Sequence, residues 1–240
     1  MTIVTPPSTP DITAPVSRWA DATANDRTRR TRRRLLLAAA QEFSTHGYRG
    51  AALSDILVTA GLTKGALYFH FRSKLALAEA LLHEVDRSCS LLFAEIAGRG
   101  LDPLWQLLVE TDTYLGRWMH DPLVRGISSA LQEPELRHMQ TAWLAEWEEH
   151  TVSLLRKAHD AGLVVPHVDP LRAGRAVVAM ATGHFALAQG PDDLWCRMSD
   201  SWEGLLPIVT TPDWCGWWDR SDWRTRPRPV AEDYRRAREP

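Results

Sequence analysis

Between Leu53 and Phe71 two short runs of helical period stand only three residues apart, with Gly61, Leu62 and Thr63 between them. "LSDILVTAG" puts Ile56, Leu57 and Ala60 at its buried positions, with Ser54 at or near its start. Gly61 closes it, because glycine enters the left-handed C-cap conformation without a Cβ penalty. Thr63 is then placed to cap "KGALYFHF", its hydroxyl accepting from a backbone N–H of the first turn. Two short helices joined by a glycine-containing turn make a helix-turn-helix. Upstream, "NDRTRRTRRRLLLAAAQEFSTHGY" reads as a helix that Asn25 or Asp26 can cap. Leu36, Ala39, Ala40 and Phe43 form its apolar stripe, and Gly47 is its expected C-cap. Leu67 and Phe71 of the third helix face that stripe.

Charge is distributed unevenly about this core. The whole chain has a formal net charge of -2. Residues 27–74, however, hold ten Lys/Arg against Glu42 and Asp55, a net of +8. Residues 75–210 hold ten basic against nineteen acidic residues, a net of -9. A basic N-terminal third on an acidic body points to a polyanion-binding module. The stretch "LTKGALYFHFRSK" (62–74) has basic and aromatic residues around Gly65 and no acid. Thr63, Lys64, Tyr68, His70 and Lys74 fall on its polar side and form a candidate DNA-contacting surface. Gly65 removes a side chain where backbone would approach DNA. Arg29, Arg30 and Arg33, among six arginines at 27–34, would add sequence-independent phosphate attraction.

The remainder reads as helices throughout. After Ser73, a cap, a long amphipathic helix runs to Gly98–Gly100. Further helices are expected at about 102–119, 122–132, 135–161, 169–188 and 192–208, with breaks at prolines and glycines. Strand-like alternation is weak, so the fold class is all-α. The domain reading is a flexible arm at 1–26, a helix-turn-helix domain at 27–72, a helical ligand-binding and dimerisation domain at 73–210, and a tail at 211–240 rich in Trp, Arg and Pro. The tail is expected to pack in part through its tryptophans. Three unpaired-pattern cysteines argue against a disulfide framework or structural zinc. No apolar run approaches the ~20 residues of a membrane span, and the N-terminus has no secretory-signal pattern. These features together suggest a cytoplasmic protein with no membrane association and no cofactor.

"RTRRRLLLAAAQEFSTHGYRGAALSDILVTAGLTKGALYFHFRSK" resembles the DNA-binding domain of the TetR family of transcriptional repressors. The resemblance implies an all-helical homodimer on a double-stranded operator. Helices one to three would bind DNA, and the rest would bind a small-molecule inducer and the partner subunit. It implies DNA contacts at Ser54, Thr63, Lys64, Gly65, Tyr68, His70 and Lys74. Within the family, "TKGALYFHF" followed by "SKLALAEAL" is similar to the γ-butyrolactone-type autoregulator receptors of actinomycetes. By that resemblance Trp147 falls at a ligand-stacking tryptophan, and Gln132 at a ligand-facing polar position of furan- and butenolide-type receptors. Trp143 and Trp147 are four apart and can line one apolar pocket. Other readings stay open: a regulator of the same fold for another ligand, such as an antibiotic or intermediate, or a DNA-binding scaffold without ligand. No G-x-S-x-G, P-loop or H-E-x-x-H occurs, so an enzyme is not expected. "EWEEH" (146–150) reads as a solvated acidic face, and His184 as a packed or hydrogen-bonded histidine.

Overall fold

The structure, a computed structural model, describes residues 26–229. The arm at 1–25 and the end of the tail at 230–240 lie outside the described residues, and with them Asn25 as a cap. The described residues form ten α-helices in order: α1 (Asp26–Gly50), α2 (Leu53–Ala60), α3 (Lys64–His70), α4 (Lys74–Ala97), α5 (Pro103–His120), α6 (Pro122–Ala130), α7 (Arg137–Asp160), α8 (Pro170–Leu187), α9 (Pro191–Val209) and α10 (Pro212–Asp219). Short 3₁₀ turns occupy Pro134–Leu136 and Asp222–Thr225. Among the described residues the only extended pairing is a single bridge between Val164 and Thr210, so the chain is all-α.

The helix boundaries have local causes. Helices α5, α6, α8, α9 and α10 each open on a proline, whose missing N–H costs nothing at the first helical position and whose fixed φ suits it. Asp102, Asp121 and Asp169 precede three of these prolines and accept first-turn N–H groups at 2.8–3.0 Å. At Gly47 the expected helix end is a break instead: φ is 70° there, and one further turn runs to Gly50. The segment expected at 135–161 divides into the 3₁₀ turn and α7.

Two compact units share these helices. One takes the described residues up to Glu95 with Tyr114–Trp143; the other takes Ile96–Thr113 with Leu144–Pro229. The division therefore falls within α4, α5 and α7.

In the first unit Leu35, Leu36, Ala39, Ala40, Phe43, Ile56, Ala60, Leu67 and Phe71 form the core of the three N-terminal helices. Leu57, expected in that core, is half-buried. α6 lies against α1 so closely that a Cβ on Gly126 would stand 2.4 Å from the Cα and carbonyl oxygen of Ala40. Ser129 donates to the Phe43 carbonyl at 2.9 Å. Arg117, buried on α5, donates to Ser88 of α4 at 2.6 Å and to the α6 cap Asp121 at 2.9 Å.

In the second unit the tail belongs to the core. Trp214, Trp218 and Trp223 are buried, and the Trp214 and Trp223 rings meet Trp105 of α5 at 5.9 and 5.8 Å. Arg226 is buried between the rings of Trp195 and Trp223, 4.3 and 3.7 Å from their centroids. Its guanidinium holds both oxygens of Asp112 at 2.6 and 3.2 Å. Two aromatic rings against the guanidinium and a bidentate carboxylate suit arginine in a way lysine cannot match.

Candidate nucleic-acid interface

The helix-turn-helix is built as its residues require. Gly61 closes α2 in the left-handed conformation, with φ at 60°. Thr63 caps α3, its hydroxyl accepting from the Ala66 N–H at 3.3 Å. The α2 cap position is Ala52, which offers no side-chain acceptor. Ser54 therefore lies inside the first turn, exposed, with its hydroxyl donating to Asp55 at 3.3 Å. Glu42 of α1, buried, accepts from Thr59 of α2 at 2.6 Å and faces the His46 ring nitrogen at 3.1 Å, which fixes the two helices together.

On α3, Leu67 is fully buried and Thr63, Lys64, Gly65, Tyr68 and Phe69 are exposed. The Lys64 ammonium stands 6.0 Å from the centroid of the Tyr68 ring, and Tyr68 is 48% exposed. A Cβ on Gly65 would find only the Thr63 hydroxyl, at an ordinary contact distance of 4.0 Å, and Gly65 is not among the glycines of positive φ. Neither packing nor backbone conformation within this chain calls for glycine there. In a helix it is the less stable choice than alanine by about 0.5–1 kcal/mol. The free space lies outside the molecule.

His70 is half-buried against Phe69 and Phe71. Burial, and then the neighbouring Arg32 charge, push its imidazole below the ordinary histidine pKa. In the free protein this favours the neutral, hydrogen-bonding form of the ring, whereas a phosphate close by would act in the opposite direction.

The basic residues do not all serve one surface. Arg29, Arg30 and Arg33 are exposed along α1. Arg34 caps α2, donating to the Ala60 carbonyl at 2.6 Å. Arg32 lies over the Phe71 ring at 5.4 Å. Arg49 is bonded to Glu135, its Nε donating at 2.9 Å. Lys74, read from the sequence as a DNA contact, turns inward. Its ammonium donates to the carbonyls of Tyr48, Arg49 and Ala51 at 2.7, 3.2 and 3.0 Å and lies 4.7 Å from the Tyr48 ring centroid. A cation at these late carbonyls of α1 complements the negative end of the helix dipole. Its distance from its partners in sequence hides this role.

The candidate ligand residues are less concentrated. Gln132 is exposed, its amide directed to the Ser128 carbonyl at 3.4 Å. Trp143 is half-buried against Tyr114, with ring centroids 5.8 Å apart. Both belong to the unit that carries the helix-turn-helix; Trp147, half-buried, belongs to the other. An apolar cavity in that second unit is walled by Leu104, Leu108, Leu155, Val177, Trp202 and Leu206, and none of the three candidates lines it. His150, read as part of a solvated face, instead places its Nε2 2.6 Å from the buried carboxylate of Glu110 on α5, which also accepts from Gln106 at 2.7 Å. His184 meets the Ser201 hydroxyl at 2.7 Å, as a hydrogen-bonded histidine should.

Comparison with known proteins gives the arrangement its context. The family described as bacterial regulatory proteins, tetR family, matches residues 35–81, from within α1 to the first part of α4. The A-factor receptor protein of Streptomyces griseus is 31% identical over 185 residues, covering 76% of this chain and 64% of that protein. The chain thus spans somewhat under two thirds of that relative. The full-length structure of TylP, a TetR regulator from Streptomyces fradiae, is 32% identical with a TM-score of 0.65, covering 90% of this chain and 94% of that one. CprB of Streptomyces coelicolor, solved in complex with its biological operator sequence, is 27% identical with a TM-score of 0.69, covering 82% and 98%.

Proposed function

The chain belongs to the tetR family of bacterial regulatory proteins, and from that premise we propose that it is a ligand-responsive transcriptional repressor acting as a homodimer on a pseudo-palindromic operator. The observation that carries the DNA-binding part is the exposed Lys64–Gly65–Tyr68 face of α3, where a glycine is kept with no internal use. Lys64 and Tyr68 reach phosphate, Gly65 admits backbone to the duplex, and Thr63, Ser54 and His70 add hydrogen bonds. Exposed Arg29, Arg30 and Arg33 provide salt-sensitive attraction. Lys74 acts first as a clamp on the end of α1, and a phosphate would share it. The relatives are regulators, and we assign the chain no catalytic activity.

The dimer is proposed to form through α8 and α9. Leu187 and Ile208 are 61% and 68% exposed, and a Cβ on Gly183 or Gly204 would meet nothing within 4 Å. Such a face buries well against its own copy in a four-helix bundle. Two α3 helices would then enter successive major grooves about 34–36 Å apart.

The inducer is proposed to be a γ-butyrolactone, butenolide or furan, with Trp147 stacking on its ring. The similarity to the A-factor receptor protein supports this reading. The ligand would act through α4, which enters the helix-turn-helix at Lys74, by preferring the spacing of heads that does not bind. A coupling of about 1–3 kcal/mol gives about 5–150-fold release. The test is a gel shift with inducer titration on wild type and Trp147→Ala. The variant should bind operator as wild type does and need roughly tenfold more inducer for release. Release at the wild-type concentration removes Trp147 from the pocket. No release of wild type by any of the three ligand classes overturns the receptor reading.

A further inference from the structure

We propose that Phe69 is a base-reading residue: its ring meets the C5-methyl group of a thymine in the operator's major groove and so selects for thymine at one position of each half-site. The inference rests on the DNA-binding reading above and adds to it a determinant of sequence.

Successive residues of a helix are turned by about 100°. Leu67, fully buried, marks the inner side of α3. Gly65 and Phe69 lie two residues to either side of it, so both stand within roughly 20° of the direction opposite the core. Lys64 and Tyr68 fall on the flank between. The outermost side chain of α3 is therefore neither lysine nor tyrosine but Phe69, which is 78% exposed. A single exposed apolar residue is ordinary on a protein surface. This one lies at the crest of the helix that the fold presents to DNA, one turn after a glycine. Helical side chains lean toward the N-terminus over the turn before them. Position 65 has no side chain to receive Phe69, so helix and ring offer one continuous apolar step. The His70 ring meets Phe69 edge-on, with centroids 5.0 Å apart and planes at 89°, which holds the phenyl from the side.

A phenyl ring has no donor and no acceptor, so it cannot read the hydrogen-bonding edges of G·C pairs or of adenine. The one apolar group in the major groove of unmodified DNA is the thymine methyl. Phosphate contact gains nothing from phenylalanine. The residues around it position the helix, and Phe69 distinguishes sequence.

The experiment uses the full chain. Wild-type protein selects duplexes from a randomised library. Each thymine of the selected site is then replaced in turn, in both half-sites, by deoxyuridine, which removes only the methyl group. Affinities of wild type, Phe69→Leu and Phe69→Ala are measured by fluorescence anisotropy, with melting curves alongside. At one thymine, wild type should lose about fourfold per half-site, the effect of one methyl removed from an apolar contact. Phe69→Ala should bind the thymine and deoxyuridine duplexes equally, and Phe69→Leu should keep part of the difference. No thymine whose methyl matters, or one that matters equally to Phe69→Ala, overturns the proposal. Failure of wild type to select any duplex overturns the DNA-binding reading itself, a distinct result.

Discussion

Two lysines ten residues apart show how position decides what a charge does. Lys64 sits in the first turn of α3, exposed, with its ammonium beside Tyr68. Lys74 opens α4 and is bonded to three carbonyls at the end of α1. Both are cations in a basic stretch, but Lys74 ties two helices together. Gly65 is the sharper case, because its side chain is absent and its use lies outside the chain. Gly65→Ala should fold at least as well as wild type, gaining about 0.5–1 kcal/mol from the loss of glycine's backbone freedom. Its operator affinity should fall, since the methyl group points where the duplex approaches. Calorimetric melting set beside gel shifts checks both. A variant that binds operator unchanged would show that DNA does not come close at this point.

Among the elements, α6 bears most directly on the helix-turn-helix. It meets α1 at Gly126, where backbone lies on backbone, and Ser129 bonds the Phe43 carbonyl one turn on. Gly126→Ala puts a methyl group 2.4 Å from backbone atoms of Ala40, which cannot swing aside as a side chain could. Overpacking of this kind costs about 1–3 kcal/mol. The variant should melt several degrees below wild type, and a guanidinium titration should show a lower midpoint. An unchanged midpoint would mean that α6 shifts freely on α1. The contrast with Gly65 is instructive: alanine at one glycine should leave folding intact and weaken binding, while at the other it strains the fold. The tail is an element in the same sense. Arg226 closes a bidentate pair with Asp112, 114 positions away, between two indole rings.

For the whole molecule, the net of +8 over residues 27–74 overstates what DNA meets. Of the residues with partners in the chain, Arg49 meets the carboxylate of Glu135 and so offsets one charge, while Arg32, Arg34 and Lys74 meet a ring or backbone carbonyls, which hold them in place and leave their charge for phosphate. The proposed dimer doubles that charge. Ile208→Asp tests that assembly. Ile208 is 68% exposed, so the substitution should leave the subunit's own packing intact. It should instead put two like charges into the proposed α8–α9 bundle, giving a monomer by light scattering and a large loss of operator affinity. A variant that remains a dimer, with affinity kept, would move the interface elsewhere.

What the sequence alone determined follows from rules that act over a few residues. The left-handed glycine at 61, the Thr63 cap, the helix-opening prolines and the 3.6-residue apolar stripes depend on neighbours within a turn or two. The all-α fold class and the core positions Leu36, Phe43, Ile56 and Leu67 were legible for that reason. Gly47 shows the margin: a positive φ that favours glycine was readable, but with ψ at 170° it is a break and not the expected left-handed cap, and the extra turn beyond it is held by Lys74, 25 or so residues on. The tertiary structure alone decided the inward turn of Lys74, the pairing of His150 with buried Glu110, the contact of Gly126 with Ala40, and the place of Arg226. Each joins residues far apart in the chain, and no local pattern records a partner. Burial then sets the chemistry. The carboxylate of Glu110 and the guanidiniums of Arg117 and Arg226 leave water only because folding brings counter-groups to them, and the same folding leaves Phe69, one of the five phenylalanines, outside.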